Sequence, residues 1–265
     1  MSSQIGTVIV YHGLGDCPPA QDPYHLFTPV AKFARQMEFL ARHRRVVSLD
    51  DLVRGRIGRG RAAVAITFDD GYCSVLDDAV PILRSHGFPA TCFVPTRWIG
   101  AANGWDTFEP TDRPLPILSA DGLRALAAAG VDVESHGHMH MHLGEADEAD
   151  VVADVTTSRD ILTEVLGHPP RFLAYPYGSQ SPVARRAVAA AGFECAFSIG
   201  RRAEGEFGRE RVTIRPTDNL ALYAFKTSGR YLAIRESGLG DRAFDLIRPI
   251  VHARRAKGVK GANGE

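Results

Sequence analysis

A surplus of either charge sign is missing from this chain: 31 acidic residues stand against 31 basic ones, and the formal net charge is zero. A nucleic-acid partner usually leaves a strong basic bias, so the balance argues against that class of function. Cysteine is scarce as well. The four, Cys17, Cys73, Cys92 and Cys195, form no CxxC pair, which speaks against a zinc knuckle or a disulfide framework and for small buried hydrophobes. No stretch approaches the run of about 18 apolar residues that a membrane helix needs. Met1-Ser2-Ser3-Gln4 also lacks the basic start and apolar core of an export signal. That opening leads us to expect a cytoplasmic protein. Internal repeats and low-complexity blocks are absent too.

What is present is an ordinary globular composition, 45% apolar over 265 residues, at a length where an α/β barrel runs as one unit. Short apolar runs rich in β-branched residues predict strands at Thr7 to Tyr11, Arg45 to Leu49, Ala63 to Phe68, Ala90 to Val94, Val131 to Glu134, Arg171 to Ala174 and Cys195 to Ile199. Helical patterns lie between and after them, at about Phe27 to Arg42, Ser74 to His86, Ala120 to Ala129, Ala146 to Leu166, Ser181 to Ala191 and Asn219 to Thr227. Gly87, Gly130, Gly167 and Gly192 each close a helical stretch just before a strand. The alternation implies a parallel sheet.

Two segments depart from that rhythm. Gly100 to Pro116 carries Trp105, Phe108 and prolines without a period, which predicts a long and functional loop. The end of the chain reads as a basic helix over about Asp241 to Lys257 with a flexible tail, so the expected division is a barrel over 1–233 and a helical tail over 234–265. Packing of that helix on the barrel is the simpler reading. Contact with a membrane surface through Arg248, Arg254, Arg255, Lys257 and Lys260 is the other.

The chemistry is concentrated in two places. Thr67-Phe68-Asp69-Asp70-Gly71 puts adjacent carboxylates after a strand, where α/β barrels present catalytic groups. Ser135-His136-Gly137-His138-Met139-His140-Met141-His142 supplies imidazoles at alternate positions. In a strand, residues four apart would be separated by roughly 13 Å, too far for one ion; in a helical turn they are neighbours. His136 with His140, or His138 with His142, can then chelate one metal. The spacing leaves both pairs open. A metal held by two imidazoles and a carboxylate lowers the pKa of its water towards about 7 and polarises a carbonyl, while a second carboxylate stays free to take a proton. Metal-assisted hydrolysis of an amide or ester is the reaction these groups suit.

These two segments, together with Arg171-Phe172-Leu173-Ala174-Tyr175-Pro176-Tyr177-Gly178, resemble the first three motifs of the polysaccharide deacetylase family, carbohydrate esterase family 4. Val8-Ile9-Val10-Tyr11-His12 and Arg45 to Leu52 resemble its bacterial members, so the likeness runs from about residue 5 to residue 228. It implies a distorted (β/α)7 barrel and a hydrolase acting on carbon-nitrogen bonds other than peptide bonds, which removes N-acetyl groups from an amino-sugar-containing saccharide. It also implies one divalent metal, usually Zn2+, held by Asp70, His136 and His140. By the same resemblance Asp69 is the general base and the backbone N–H of Tyr177 helps hold the oxyanion. His12, at the end of the first strand, is a candidate for substrate contact or proton donation.

Two departures from the pattern stand out. Many relatives carry an arginine before the Pro-Tyr-Gly run that orients the base; here Ala174 and Tyr175 precede Pro176, and Arg171 and Arg215 become the candidates for that contact. The late motifs that supply a general-acid histidine and an Asp- and Trp-containing segment have no clear counterpart. A cyclic amide hydrolase of the allantoinase-like type and a non-catalytic carbohydrate-binding barrel are therefore the competing functions.

Overall fold

The computed structural model describes residues 6–18, 22, 24–105, 114–200 and 205–236. Eight strands run in parallel: β1 (Thr7–Tyr11), β2 (Arg45–Val46), β3 (Ala63–Phe68), β4 (Ala90–Val94), β5 (Val131–Ser135), β6 (Phe172–Ala174), β7 (Cys195–Ile199) and β8 (Arg209–Thr213). β1 pairs with both β3 and β8, so seven of them close into a barrel. β2 is the one left out. It pairs with Ala63 and Val64 at the start of β3, and β4 takes over from Ile66 onward. The described helices are α1 (Val30–His43), α2 (Leu49–Val53), α3 (Val80–Ser85), α4 (Ala120–Ala128), α5 (Glu148–Leu166), α6 (Pro182–Ala190), α7 (Leu220–Lys226) and α8 (Arg230–Glu236).

The expected distorted (β/α)7 barrel is present, with one exchange of strands. The run Arg45 to Leu49 shrinks to two residues because Ser48 starts a helix: its hydroxyl accepts the Asp51 N–H at 3.0 Å, and Asp50 and Asp51 occupy the first turn. The seventh barrel strand is instead β8, whose Arg209-Glu210-Arg211 opening hides its strand character. The helix expected from Ser74 begins as a wider turn over Val75–Ala79 and tightens into α3. That turn ends just before Pro81, whose ring would clash with the carbonyl four residues back in a regular helix. The expected boundary at 233 falls inside α8, and the basic helix expected over 241–257 lies outside the described residues.

Alternation along the strands sorts side chains into two cores. Val8, Ala65, Phe93, Phe172, Ala174, Cys195 and Phe197 form one cluster inside the barrel, and Leu49, with Leu52 and Val53 of α2 beside it, plugs that cluster from the N-terminal end of the strands. Ile9, Tyr11, Ile66, Phe68, Cys92 and Val94 point outward onto α1, α3 and α4. Leu173 and Ala196 pack on α5 and α6. The apolar plug leaves the polar end of the interior at the C-terminal ends of the strands.

Candidate metal centre

β3 delivers the two carboxylates. The N–H of Asp69 donates to the Tyr11 carbonyl at 2.9 Å, which prolongs the β1–β3 ladder by one residue. Asp70 and Gly71 then turn left-handed, at φ 73° and 71°. A side chain at Gly71 would also crowd Val94 at 3.1 Å, so glycine serves both needs there. Asp69 and Asp70 end up buried.

A buried carboxylate needs a partner, and Asp69 has one that the sequence did not suggest. Arg211 of β8 donates from Nη1 and Nη2 to its two oxygens, each at 2.7 Å, and from Nη1 to Thr67 Oγ1 at 3.2 Å. Its guanidinium lies over the Phe93 ring, 5.1 Å from the centroid. Burial pushes Asp69 up, yet Arg211 and His136 more than offset it, so its pKa stays below the ordinary value. The contact expected from Arg171 or Arg215 is therefore made elsewhere. Arg171 precedes β6 at the far end of the barrel and pairs with Asp50 at 2.5 Å. Arg215 follows β8 and donates its backbone N–H to Asp218. The run Arg209-Glu210-Arg211-Val212-Thr213 opens on three consecutive charges, so no period-2 pattern marks an interior arginine there.

The histidine segment is a non-helical loop, contrary to the helical turn expected from its spacing. His136 follows β5 and donates its N–H to the Val94 carbonyl; Thr96 and Arg97 donate theirs to the carbonyls of Gly137 and His138, both at 3.1 Å. Gly137 and His140 are left-handed, at φ 75° and 58°. Those two reversals bring the His136 and His140 rings within 5.0 Å of each other, where a strand would hold them apart. Of the two pairs, the loop brings together His136 and His140 and turns His138 and His142 to other partners. The His138 ring bonds Thr96 Oγ1 at 2.9 Å, and His142, half exposed, stacks on Tyr177 at 4.0 Å.

Asp70, His136 and His140 each offer a ligand atom within 4.8 Å of the other two, and among the described residues they form the one such cluster. Nε2 of His140 lies 3.3 Å and Nε2 of His136 3.5 Å from Asp70 Oδ1. Yet Oδ1 is buried without a hydrogen-bond donor, which a cation would satisfy. His136 Nδ1 sits 2.8 Å from the Ala174 carbonyl. A proton there leaves the Nε2 lone pair facing Asp70. Burial holds the His136 pKa down at about 4, against the pull of Asp69, so the ring is neutral and able to ligate at pH 7. Burial raises Asp70, but His140, His12 and His136 carry it well below the carboxylate range. The donor set, two imidazoles and one carboxylate, fits a divalent cation.

The remaining candidates surround this cluster. His12, after β1, is buried and close enough to shift both carboxylates. Tyr177 has a left-handed backbone at φ 57°, and its exposed ring stands 4.7 Å from that of His140. Trp105, at the edge of the long loop, packs 4.4 Å from the His140 ring and 5.7 Å from Trp98. The middle of that loop, 106–113, lies outside the described residues.

The sequence profile of the polysaccharide deacetylase family matches residues 57–196. The chain belongs to that family. A poly-β-1,6-N-acetyl-D-glucosamine N-deacetylase of Staphylococcus aureus is 26% identical over 144 residues, 54% of this chain and 50% of that protein. The chain thus spans about half the length of the curated relatives it matches. Among solved structures, the Streptococcus pyogenes deacetylase PplD superposes with a TM-score of 0.71 at 18% identity, covering 84% of this chain and 97% of that one. IcaB from Ammonifex degensii gives 0.69 at 23%, covering 83% and 96%. These superpositions extend the shared barrel beyond the profile match. β1 and β8, which close it, with His12 just after β1 and Arg211 midway along β8, both fall outside 57–196.

Proposed function

We propose that this member of the family is a metal-dependent N-deacetylase that releases acetate from an N-acetylated amino sugar within a saccharide. The observation that carries the reading is the convergence of Asp70, His136 and His140 beside a second carboxylate that Arg211 keeps ionised and fixed by two hydrogen bonds. A divalent cation bound there, with Zn2+ the best match, supplies Lewis acidity: it polarises the amide carbonyl and lowers the pKa of water towards about 7.

The chain's own groups divide the rest. Asp69 accepts the proton of the attacking water; it lies 3.9 Å from His136 Nε2, next to the ligand cluster, and its depressed pKa keeps it ready to accept at neutral pH. The Tyr177 N–H, on the left-handed turn after β6, donates to the oxygen on which negative charge develops. A preorganised donor of this kind contributes about 3–4 kcal/mol. His12 gives a proton to the departing amine, a role open to it because it sits buried beside both carboxylates. The exposed ring of Tyr177, 4.7 Å from that of His140, offers an aromatic face of the sort on which a pyranose ring rests.

Acetate release from N-acetylglucosaminyl oligomers, measured with and without a chelator and after adding Zn2+ back, tests the proposal. Chelator-sensitive release restored by the metal is expected. Its absence across several N-acetylated saccharides would refute the enzyme reading and favour a barrel that binds carbohydrate without cleaving it.

A further inference from the structure

α5 buries a stripe of Val151, Asp154, Val155, Ser158 and Leu162. Two polar residues four apart interrupt that stripe, and a carboxylate so placed is costly unless its oxygens are bonded. Both oxygens of Asp154 are bonded, and to backbone. Oδ1 accepts the His138 N–H at 2.8 Å and Oδ2 the Met139 N–H at 2.7 Å. One turn on, the Ser158 hydroxyl meets Ser135 Oγ at 2.7 Å, and Ser135 Oγ accepts the Gly137 N–H at 3.1 Å. Three successive N–H groups, those of residues 137 to 139, are thereby tied down as in an anion-binding nest. The nest lies between His136 and His140, one residue from each.

We infer that Asp154 is a positioning residue that sets the histidine loop in ligand geometry before any metal arrives. The inference rests on the metal reading above and concerns how that site is built. Asp154 touches neither ligand ring; it acts through the backbone that joins them. His140 is held left-handed, at φ 58°, a conformation a residue with a side chain keeps only when its surroundings enforce it. Two hydrogen bonds to a charged acceptor immediately before it supply that enforcement. Gly137 is the matching half of the device. A Cβ there would stand 2.7 Å from Asp154 Oδ1, so the position has to be glycine for the carboxylate to come this close. Without the clamp, the segment relaxes towards ordinary backbone and carries the His140 imidazole away from Asp70.

The test is the Zn2+ dissociation constant of the whole chain, read by competition with a chromophoric chelator, for the wild type and three variants. Asp154→Asn keeps the shape of the side chain but turns a donor towards one N–H. Gly137→Ala drives the carboxylate back from the opposite side. Val151→Ala loosens the packing of α5 while leaving every hydrogen bond to the loop in place. Each of the first two should raise the dissociation constant roughly 10–100-fold, the usual effect of removing a group that orients a ligand, while Val151→Ala stays within about 3-fold even as its melting temperature falls. Wild-type binding with an unchanged constant in Asp154→Asn would overturn the clamp alone. Equal weakening in Asp154→Asn and Val151→Ala would also overturn it, by making the loss a generic one. A wild type that binds no Zn2+ would overturn the metal reading and the clamp together.

Discussion

Replacing Arg211 with methionine tests the least expected contact in the site. The substitution keeps an unbranched apolar stem near Phe93 and removes both donors to Asp69, whose side chain is 3% exposed. Breaking a buried pair by deleting one partner costs roughly 3–5 kcal/mol, because the other charge is left uncompensated. That is a third or more of the about 5–15 kcal/mol that holds a typical domain together. The double variant Asp69→Asn, Arg211→Met leaves no stranded charge and should recover much of the loss, a favourable coupling well above the few tenths of a kcal/mol seen between independent sites. Urea unfolding at pH 7 of the wild type, both single variants and the double variant measures the coupling. Turnover should fall about 10²–10⁴-fold in Arg211→Met, the span of a general base that is lost or misplaced. Additive stability losses, or Arg211→Met within about 1 kcal/mol of the wild type, would refute the claim that the pair is a unit.

Three further outcomes follow from the same geometry. Asp69→Asn should bind Zn2+ at full stoichiometry, by elemental analysis, yet lose about 10²–10⁴ in turnover; near-normal acetate release would contradict its role. His140→Ala should instead lose most of its metal, since it removes a ligand, and unchanged metal content would exclude His140 from the site. Glu134 supplies a pH test. Burial raises its pKa from 4.5 to about 8, although the Phe172 and Arg171 N–H groups donate to it. The folded state therefore binds a proton that the unfolded chain gives up near its ordinary pKa. This contribution is fully present below pH 4.5 and is lost as pH rises towards about 8, at up to about 1.4 kcal/mol per pH unit. Glu134→Gln should flatten the stability profile in that window, and an unaltered slope in urea titrations would show that Glu134 is ionised throughout.

The barrel was legible where local sequence decides it. β1, β3, β4 and β7 begin and end where their apolar runs do, and α5 stops at Gly167, whose left-handed φ of 80° makes it a helix-ending residue. β8 was not legible, because Arg209-Glu210-Arg211 reads as solvated surface until the partner of Arg211 is known. That partner lies 142 positions earlier. The site shows the same division. The candidate ligand residues were named from motifs, but spacing alone argued for a helical turn, since nothing near His136 reveals that Asp154 and the Thr96 turn hold the loop from both sides. Arg171 and Arg215, the candidates for orienting the base, make their contacts elsewhere. The interior of a closed barrel brings in a residue from a strand that neither proximity nor hydrophobicity marks.

That closing strand also sets when the candidate site is complete in the life of each molecule. Asp69, Asp70, His136 and His140 all belong to the portion synthesised before β8, yet without Arg211 an interior carboxylate at position 69 has no neutralising neighbour on the same strand or the next. A chain emerging from the ribosome, or one cleaved ahead of residue 209, holds the candidate ligand residues but not the arginine that pairs with Asp69. Seating the final strand against the first thus seals the cylinder and completes the candidate site in one event.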